Sequence, residues 1–344
     1  MARIKVIYVG GTLGMVPSAD GMRPGADIPG ALASLVAEHD LDVDVDLQVF
    51  ERLIDSAEAS PADWQAIVDA IRAATTEGRG YDGFVVLHGT DTLAYTASAL
   101  AFALTDLDAP VVVTGAQRSI IEPDSDTPGN IVGALRAASA DWSGVGVFFG
   151  ELLLVGARAT KVSTVNLHGF DSPDAEPLAQ VHDGHRNWSQ PRAAGQGWPS
   201  PRPYRPHDIA VLTFAPGVSP ERLRAAVTPP PEAVLIRGYG GGQAPGHEGA
   251  TADLVRELVD GGVAVAVTTQ CGHGPVDLSR YAAGRHLLFA GAHGTGDMTL
   301  EAAYTKLMFL LSQGVAAAEI PRWMATNIAG EVTPEAPVSG ERSA

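Results

Sequence analysis

Five short runs constrain the fold of this chain more than anything else in it: "GFVVLHG", "APVVVTGAQ", "IAVLTFAPG", "EAVLIRGYG" and "VAVAVTTQ". Each is almost continuously apolar and then breaks into polar or glycine-rich residues. A strand with one face in water alternates in polarity, whereas a strand that does not alternate is covered on both faces. Segments with helical spacing separate the runs, which predicts parallel sheets with helices on both sides. In such sheets ligands bind in the loops that follow the carboxyl ends of strands. Thr12, Ser56, Thr90 and Gln117 all fall after strand-like runs or in such loops.

The chain has 344 residues, a length that fits two domains better than one core. The first part opens with a strand over Arg3–Val9 and a helix in "DIPGALASLVAEHD", where Leu32, Leu35 and Val36 share a face. "VDVDLQVF" alternates like a strand. "SPADWQAIVDAIRAATTEG" predicts a helix capped by Ser60, with Pro61 at its first position and Gly78 as its stop. "TDTLAYTASALAFAL" and "NIVGALRAAS" read as helices, and "SGVGVFFG" and "ELLLVGARAT" complete a domain over 1–183. Residues 184–207 are dense in Pro, Gly, Arg and Trp and have no periodicity, so they read as the interdomain connection. A smaller α/β domain is expected over 208–344. In it, "DMTLEAAYTKLMFLLSQG" predicts a helix capped by Asp297 and ended by Gly314.

Composition excludes several functions. With 40 acidic and 23 basic residues, the formal charge of -17 repels phosphate backbones, so no nucleic-acid partner is expected. One cysteine, Cys271, permits neither an intramolecular disulfide nor the cysteine cluster of a structural zinc site. No apolar stretch reaches membrane-span length, and "MARIKVIYVGG" enters its strand without the features of a leader. The expected location is the cytoplasm.

Three segments concentrate reactive side chains. In "YVGGTLGMV", Gly10–Gly11–Thr12–Leu13–Gly14 lacks the Lys-Ser/Thr of a phosphate loop and the spacing of a dinucleotide fingerprint. Thr12 is then either a nucleophile beside free backbone amides or an ordinary turn residue. In "LHGTDTLAYTA", His88, Thr90, Asp91 and Thr92 crowd a strand-to-helix junction. One helix cap needs one such residue, so the others are available for binding or catalysis. In "GARATKVST", Lys161 is either a solvated surface lysine or a cation held beside Thr90 that eases loss of its proton. Asp55–Ser56 precedes a helix already supplied with a cap, which leaves Ser56 free for a ligand. Cys271 reads as structural, because no His pairs with it in the sequence.

Taken together, "YVGGTLGM" and "VLHGTDTLAYTASAL", with "LIRGYGGGQAP", "VTTQCGHGPVDLSRYAAG" and "AGAHGTGDMTLEAAYTKL", resemble the bacterial-type L-asparaginases, in particular their cytoplasmic type I branch. The resemblance spans nearly the whole chain. It implies a larger flavodoxin-like domain with a mostly parallel sheet and a smaller C-terminal α/β domain. It implies hydrolysis of L-asparagine to L-aspartate and ammonia, without metal or organic cofactor, by a homodimer or homotetramer. Thr12 falls on the family's first catalytic threonine, and Thr90, Asp91 and Lys161 on its second catalytic group. Gly11, Asp55, Ser56, Gly89 and Ala116 fall on substrate-binding positions. Thr12 would form the acyl-enzyme and Thr90, relayed by Lys161, would activate water; the reverse order stays open.

Two positions depart from the family. Its mobile loop carries a tyrosine after a glycine, where this chain has Gly21–Met22, and a thioether cannot donate the phenol's hydrogen bond. Gln243 stands where relatives usually carry Asn. These departures keep two alternatives in view: a glutaminase or other ω-amide hydrolase, and a catalytically weak amino-acid sensor. Some cytoplasmic members bind a second asparagine as activator, and Thr160, Arg237 and Cys271 lie in the segments where such a site would form.

Overall fold

The computed structural model describes residues 1–76, 80–182, 185–188 and 195–334. In chain order the first domain comprises β1 (Ala2–Tyr8), β2 (Met15–Ser18), β3 (Gly21–Pro24), α1 (Ile28–Glu38), β4 (Val43–Val49), α2 (Pro61–Thr76), β5 (Gly83–Leu87), α3 (Leu93–Ala103), β6 (Pro110–Thr114), α4 (Thr127–Ala138), β7 (Gly144–Phe149), β8 (Leu152–Val155), β9 (Thr160–Lys161), β10 (Phe170–Asp171), β11 (Ala179–His182) and β12 (His185–Trp188). The main sheet runs β12-β11-β8-β7-β6-β5-β1-β4. Its members β7, β6, β5, β1 and β4 are mutually parallel. That is the flavodoxin-like order, with its switch point between β1 and β5. β5 and β6 are buried along their whole length, as their unbroken apolar sequences require.

The β7–β8 pair is antiparallel. Gly150 and Glu151 join the two strands with φ of 53° and 74°, the pair of left-handed residues that a tight hairpin demands. Leu32 and Leu35 of α1 pack with Ile131 and Leu135 of α4 on one face of the sheet. Ile67 and Ile71 of α2 and Leu100 of α3 pack on the other.

Ser60 holds the N-cap position of α2, directly before Pro61 as expected, but its side chain does not accept from the helix. Its hydroxyl and its N–H both donate to Asp63, whose carboxylate takes over the reciprocal half of a cap, and the expected stop Gly78 lies outside the described residues. The expected boundary at 183–184 also lies outside the described residues. The backbone of β12 pairs with β11, so the large sheet enters the stretch expected to be connection.

The second domain comprises β13 (Ile209–Thr213), α5 (Pro220–Ala226), β14 (Ala233–Gly238), α6 (Ala250–Asp260), β15 (Ala264–Thr269), α7 (Ala282–Phe289), β16 (His293–Gly294), α8 (Leu300–Ser312) and α9 (Ile320–Ala325). Its four strands form a parallel sheet in sequential order. α8 is capped by the Thr299 hydroxyl, which accepts from the Ala302 N–H; the expected cap Asp297 is engaged elsewhere.

α8 also joins the domains. Phe309 stacks on Phe102 of α3 at 5.6 Å between ring centroids. The connection itself is pinned: the Trp198 ring lies 5.3 Å from Phe309 and 4.5 Å from Trp323, and the Tyr204 hydroxyl donates to the Ala99 carbonyl at 2.8 Å. Rings packed this way contribute about 1 kcal/mol each beyond their buried area, so residues 198–204 are a structural strap and not a hinge.

Candidate active site

The candidate residues meet at the switch point, and glycine makes the meeting possible. Gly10 and Gly11 follow β1 with φ of 133° and 103°, conformations that side chains disfavour. A Cβ on Gly11 would lie 2.5 Å from the Gly89 nitrogen, and one on Gly10 would lie 2.4 Å from the Ile54 carbonyl oxygen. A Cβ on Gly89 would in turn meet Ser56 Oγ at 2.4 Å. The loops after β1, β4 and β5 therefore touch backbone to backbone. Thr12 opens a single helical turn, Thr12–Gly14, at the centre of this junction. Among the described residues its hydroxyl has no hydrogen-bond partner, so it is not spent on the turn.

The helix-cap reading of the second motif fails. Thr92 is the N-cap of α3 by position but makes no side-chain cap bond; its hydroxyl donates to the Ser56 carbonyl at 2.6 Å. Thr90 and Asp91 face Lys161 instead. Lys161 Nζ donates to Thr90 Oγ1 at 2.8 Å and to Asp91 Oδ1 at 2.7 Å. Thr90 is buried, and the Lys161 side chain is 19% exposed against 60% for Asp91. Lys161 is thus not a solvated surface residue. Its charge sits against a hydroxyl in a site open to solvent on the Asp91 side.

Supporting residues hold this arrangement. His88 is fully buried; its Nδ1 lies 2.7 Å from the Gly89 carbonyl and its Nε2 3.0 Å from Thr96 Oγ1. Burial pushes its pKa down, so the ring is neutral: Nδ1–H donates to the carbonyl and Nε2 accepts from the threonine. Gln117 Nε2 donates to the carbonyls of Ser163 and Asn166 at 3.0 and 3.1 Å and ties the loop after β6 to the loop that follows Lys161. Ala116 is fully buried beside Gly115, where a Cβ would meet the His88 carbonyl at 2.5 Å and Thr90 Cγ2 at 3.4 Å.

Ser56 is buried and its Oγ accepts from the Asp91 N–H at 3.3 Å, which leaves its own hydrogen to donate. Asp55 is exposed and caps the following turn by accepting from the Ala57 N–H at 3.0 Å.

Met22 lies near the tip of the β2–β3 hairpin, opposite Pro17, and is 43% exposed. The hairpin's base is tied down by Gly25 and Ala26 N–H donating to the Gly14 carbonyl and by Ser119 Oγ donating to the Met15 carbonyl. Gln243 closes a tight turn with Tyr239 through two backbone bonds of 2.8 Å.

A cavity of about 280 Å³ is lined by Thr160, Lys161, Arg237, Cys271 and Glu301 among others. Thr160 Oγ1 donates to Glu301 Oε1 at 2.8 Å, and burial raises the pKa of that carboxyl. Cys271 is exposed at this cavity, contrary to the structural role expected for it. Sequence reasoning also missed Asn130, which donates to the Gly115 carbonyl and accepts from the Gly150 N–H. An apolar helix with one Asn offered no signal of that clamp.

The family pattern described as "Asparaginase, N-terminal" matches residues 3–194, and that described as "Glutaminase/Asparaginase C-terminal domain" matches residues 208–324. L-asparaginase 1 of Escherichia coli K12 is 39% identical over 336 residues, which cover 96% of this chain and 98% of that protein. A glutamyl-tRNA(Gln) amidotransferase component of Pyrococcus furiosus is 34% identical over 96% of this chain and 77% of that protein. The solved structure of the thermostable L-asparaginase from Thermococcus kodakarensis superposes with a TM-score of 0.86 at 34% identity, covering 97% of this chain and all of that one.

Proposed function

Because this chain belongs to the L-asparaginase family and is an amidohydrolase acting on asparagine, we propose that Thr12 Oγ1 is the nucleophile of a two-step hydrolysis. Thr12 attacks the side-chain amide carbon, a C–O bond forms, and the C–N bond breaks as ammonia leaves with the hydroxyl proton. Water then cleaves the aspartyl ester and returns the proton to Thr12. The glycine-lined approach admits the substrate, and backbone N–H groups of the Gly11 and Gly89 loops stabilise the oxyanion, at about 3 kcal/mol per donor.

Thr90 activates the water of the second step. The observation that carries this reading is the placement of Lys161 Nζ between Thr90 Oγ1 and Asp91 Oδ1. A fixed ammonium beside a hydroxyl lowers the cost of withdrawing its proton. Asp91 and Ser56 take the substrate's amino and carboxylate groups, with Gly11, Asp55, Gly89 and Ala116 shaping the pocket. We place the enzyme in the cytoplasm as an assembly of two or four copies. No helix among the described residues is long and apolar enough to cross a membrane.

The test is to acid-quench Lys161→Ala during turnover and map the ester by peptide mass spectrometry. An aspartyl adduct on Thr12 supports the order given; an adduct on Thr90 reverses it.

A second reading concerns the 280 Å³ cavity. Arg237 offers a cation for a carboxylate, and Thr160 and Glu301 offer polar partners beside Lys161, which suits an amino-acid activator. Sigmoidal dependence of rate on asparagine supports it, and a hyperbolic curve at all concentrations removes it.

A further inference from the structure

Every residue assigned above to catalysis lies in the first domain, yet the segment that delivers Lys161 is gripped from the second. Arg158 is 1% exposed and lies three residues before Lys161. Its Nε donates to the Gly330 carbonyl at 2.8 Å, its Nη2 donates to Thr333 Oγ1 at 3.2 Å, and its Nη1 pairs with Asp297 Oδ2 at 2.9 Å. Thr333 closes the ring: its N–H donates to Asp297 Oδ1 at 2.8 Å and its hydroxyl to Asp297 Oδ2 at 2.5 Å. Burial raises the Asp297 pKa, but the bonds from Thr333 and Arg158 outweigh it and leave the carboxyl below its usual value. The partner segment 327–333 is itself fixed by a fully buried pair, Lys306 Nζ to Glu331 Oε1 at 2.6 Å. Glu331 also accepts from the N–H groups of Ile328 and Ala329.

The geometry of the intervening chain turns this anchor into a positioning device. Ala159 is extended (φ −74°, ψ 145°) and fully buried, and Thr160–Lys161 are paired with Phe170–Asp171. Three extended residues span about 10 Å and hold no slack. Where Arg158 is fixed, the start of the Lys161 side chain is fixed as well. Lys161 Nζ must reach two oxygens within 2.8 Å at once.

We propose that Arg158, locked by Asp297 and by Thr333 of the C-terminal segment, is a positioning residue that sets Lys161 against Thr90. The inference rests on the hydrolytic reading above. It also gives the second domain and the segment that follows α9 a part in catalysis within a single protomer.

The test compares Thr333→Val, which keeps shape and loses the hydroxyl, with Thr333→Ser, which keeps the hydroxyl. Thr333 is exposed, and thermal denaturation of each variant separates a loss of fold from a loss of rate. Ammonia release from asparagine is measured with the full-length proteins, alongside thermal denaturation. The expected result is a kcat about tenfold lower for Thr333→Val, with KM within about twofold of wild type and a melting temperature only a few degrees lower. Thr333→Ser retains most of the wild-type kcat. Arg158→Met shows the same split more strongly. Wild-type kcat in Thr333→Val overturns the proposal, as does an equal loss in the Ser and Val variants. A wild-type protein that releases no ammonia from any ω-amide sinks the hydrolytic reading and this inference with it; an active wild type with an indifferent Thr333→Val sinks this inference alone.

Discussion

Gly11→Ala tests whether the loop junction requires a backbone without side chains. At φ 103° and ψ 170°, Gly11 occupies a region essentially closed to other residues, and forcing alanine there costs about 1–3 kcal/mol. The new Cβ would also stand 2.5 Å from the Gly89 nitrogen, 2.6 Å from its Cα and 2.7 Å from the His88 carbonyl carbon. All three are backbone atoms that no rotamer change can move. Relief requires the two loops to part by about 0.9 Å, the shortfall from ordinary contact at 3.4 Å. Overpacking of that kind costs a further ~1–3 kcal/mol.

The same displacement separates Thr12 from Thr90 and Ser56, and a misplacement near 1 Å costs about 100-fold in rate. The assay is kcat for ammonia release together with thermal stability. Gly262→Ala serves as control, since Gly262 also has positive φ (83°) but no atom within 4 Å of the added Cβ. That variant loses about 1 kcal/mol of stability and keeps its kcat. A Gly11→Ala enzyme with kcat within about threefold of wild type would refute the account of the junction.

Three further outcomes are expected. Met22→Tyr restores a phenol hydrogen-bond donor on the exposed hairpin and raises asparagine turnover; an unchanged kcat contradicts a rate limited by the missing donor. Lys306→Met leaves Glu331 buried without its cation and lowers unfolding free energy by about 3–5 kcal/mol in urea titrations, while Lys306→Met with Glu331→Gln recovers part of the loss. Burial, aided by the nearby Lys306 charge, pushes the His293 pKa down to about 4 from an unfolded value of 6.5. The unfolded chain therefore takes up this proton first as pH falls. Stability from the neutral ring is complete above pH 6.5 and is lost toward pH 4, by on the order of 3 kcal/mol. His293→Gln flattens the stability–pH curve in that window, and an unchanged curve contradicts the assignment.

How much was legible in the sequence follows from the range of the forces involved. β5 and β6 were readable because a strand covered on both faces cannot alternate, and that pattern is local. Thr12, Thr90 and Asp91 were readable as reactive types after strand-like runs, and Lys161 as a cation in the segment "GARATKVST". Their contacts span about 70 residues of sequence in the Lys161–Thr90 bond, a separation that spacing alone does not reveal. The antiparallel β8 escaped notice because "ELLLVGARAT" has the same apolar character as a parallel strand, and only the left-handed Gly150–Glu151 turn reverses the chain. The connection looked irregular because its order comes from Trp198 and Tyr204 packing on distant helices. Arg158 gave no sign of burial, since its partners Asp297, Gly330 and Thr333 lie in another domain.

The central claim is that this protein hydrolyses the side-chain amide of asparagine through Thr12. The most direct measurement is ammonia release from L-asparagine and L-glutamine by the purified protein and by Thr12→Ala. The account predicts turnover of asparagine in excess of glutamine, abolished in a Thr12→Ala variant that still binds L-aspartate. Undiminished turnover in Thr12→Ala, or none from either amide in the wild type, would contradict it.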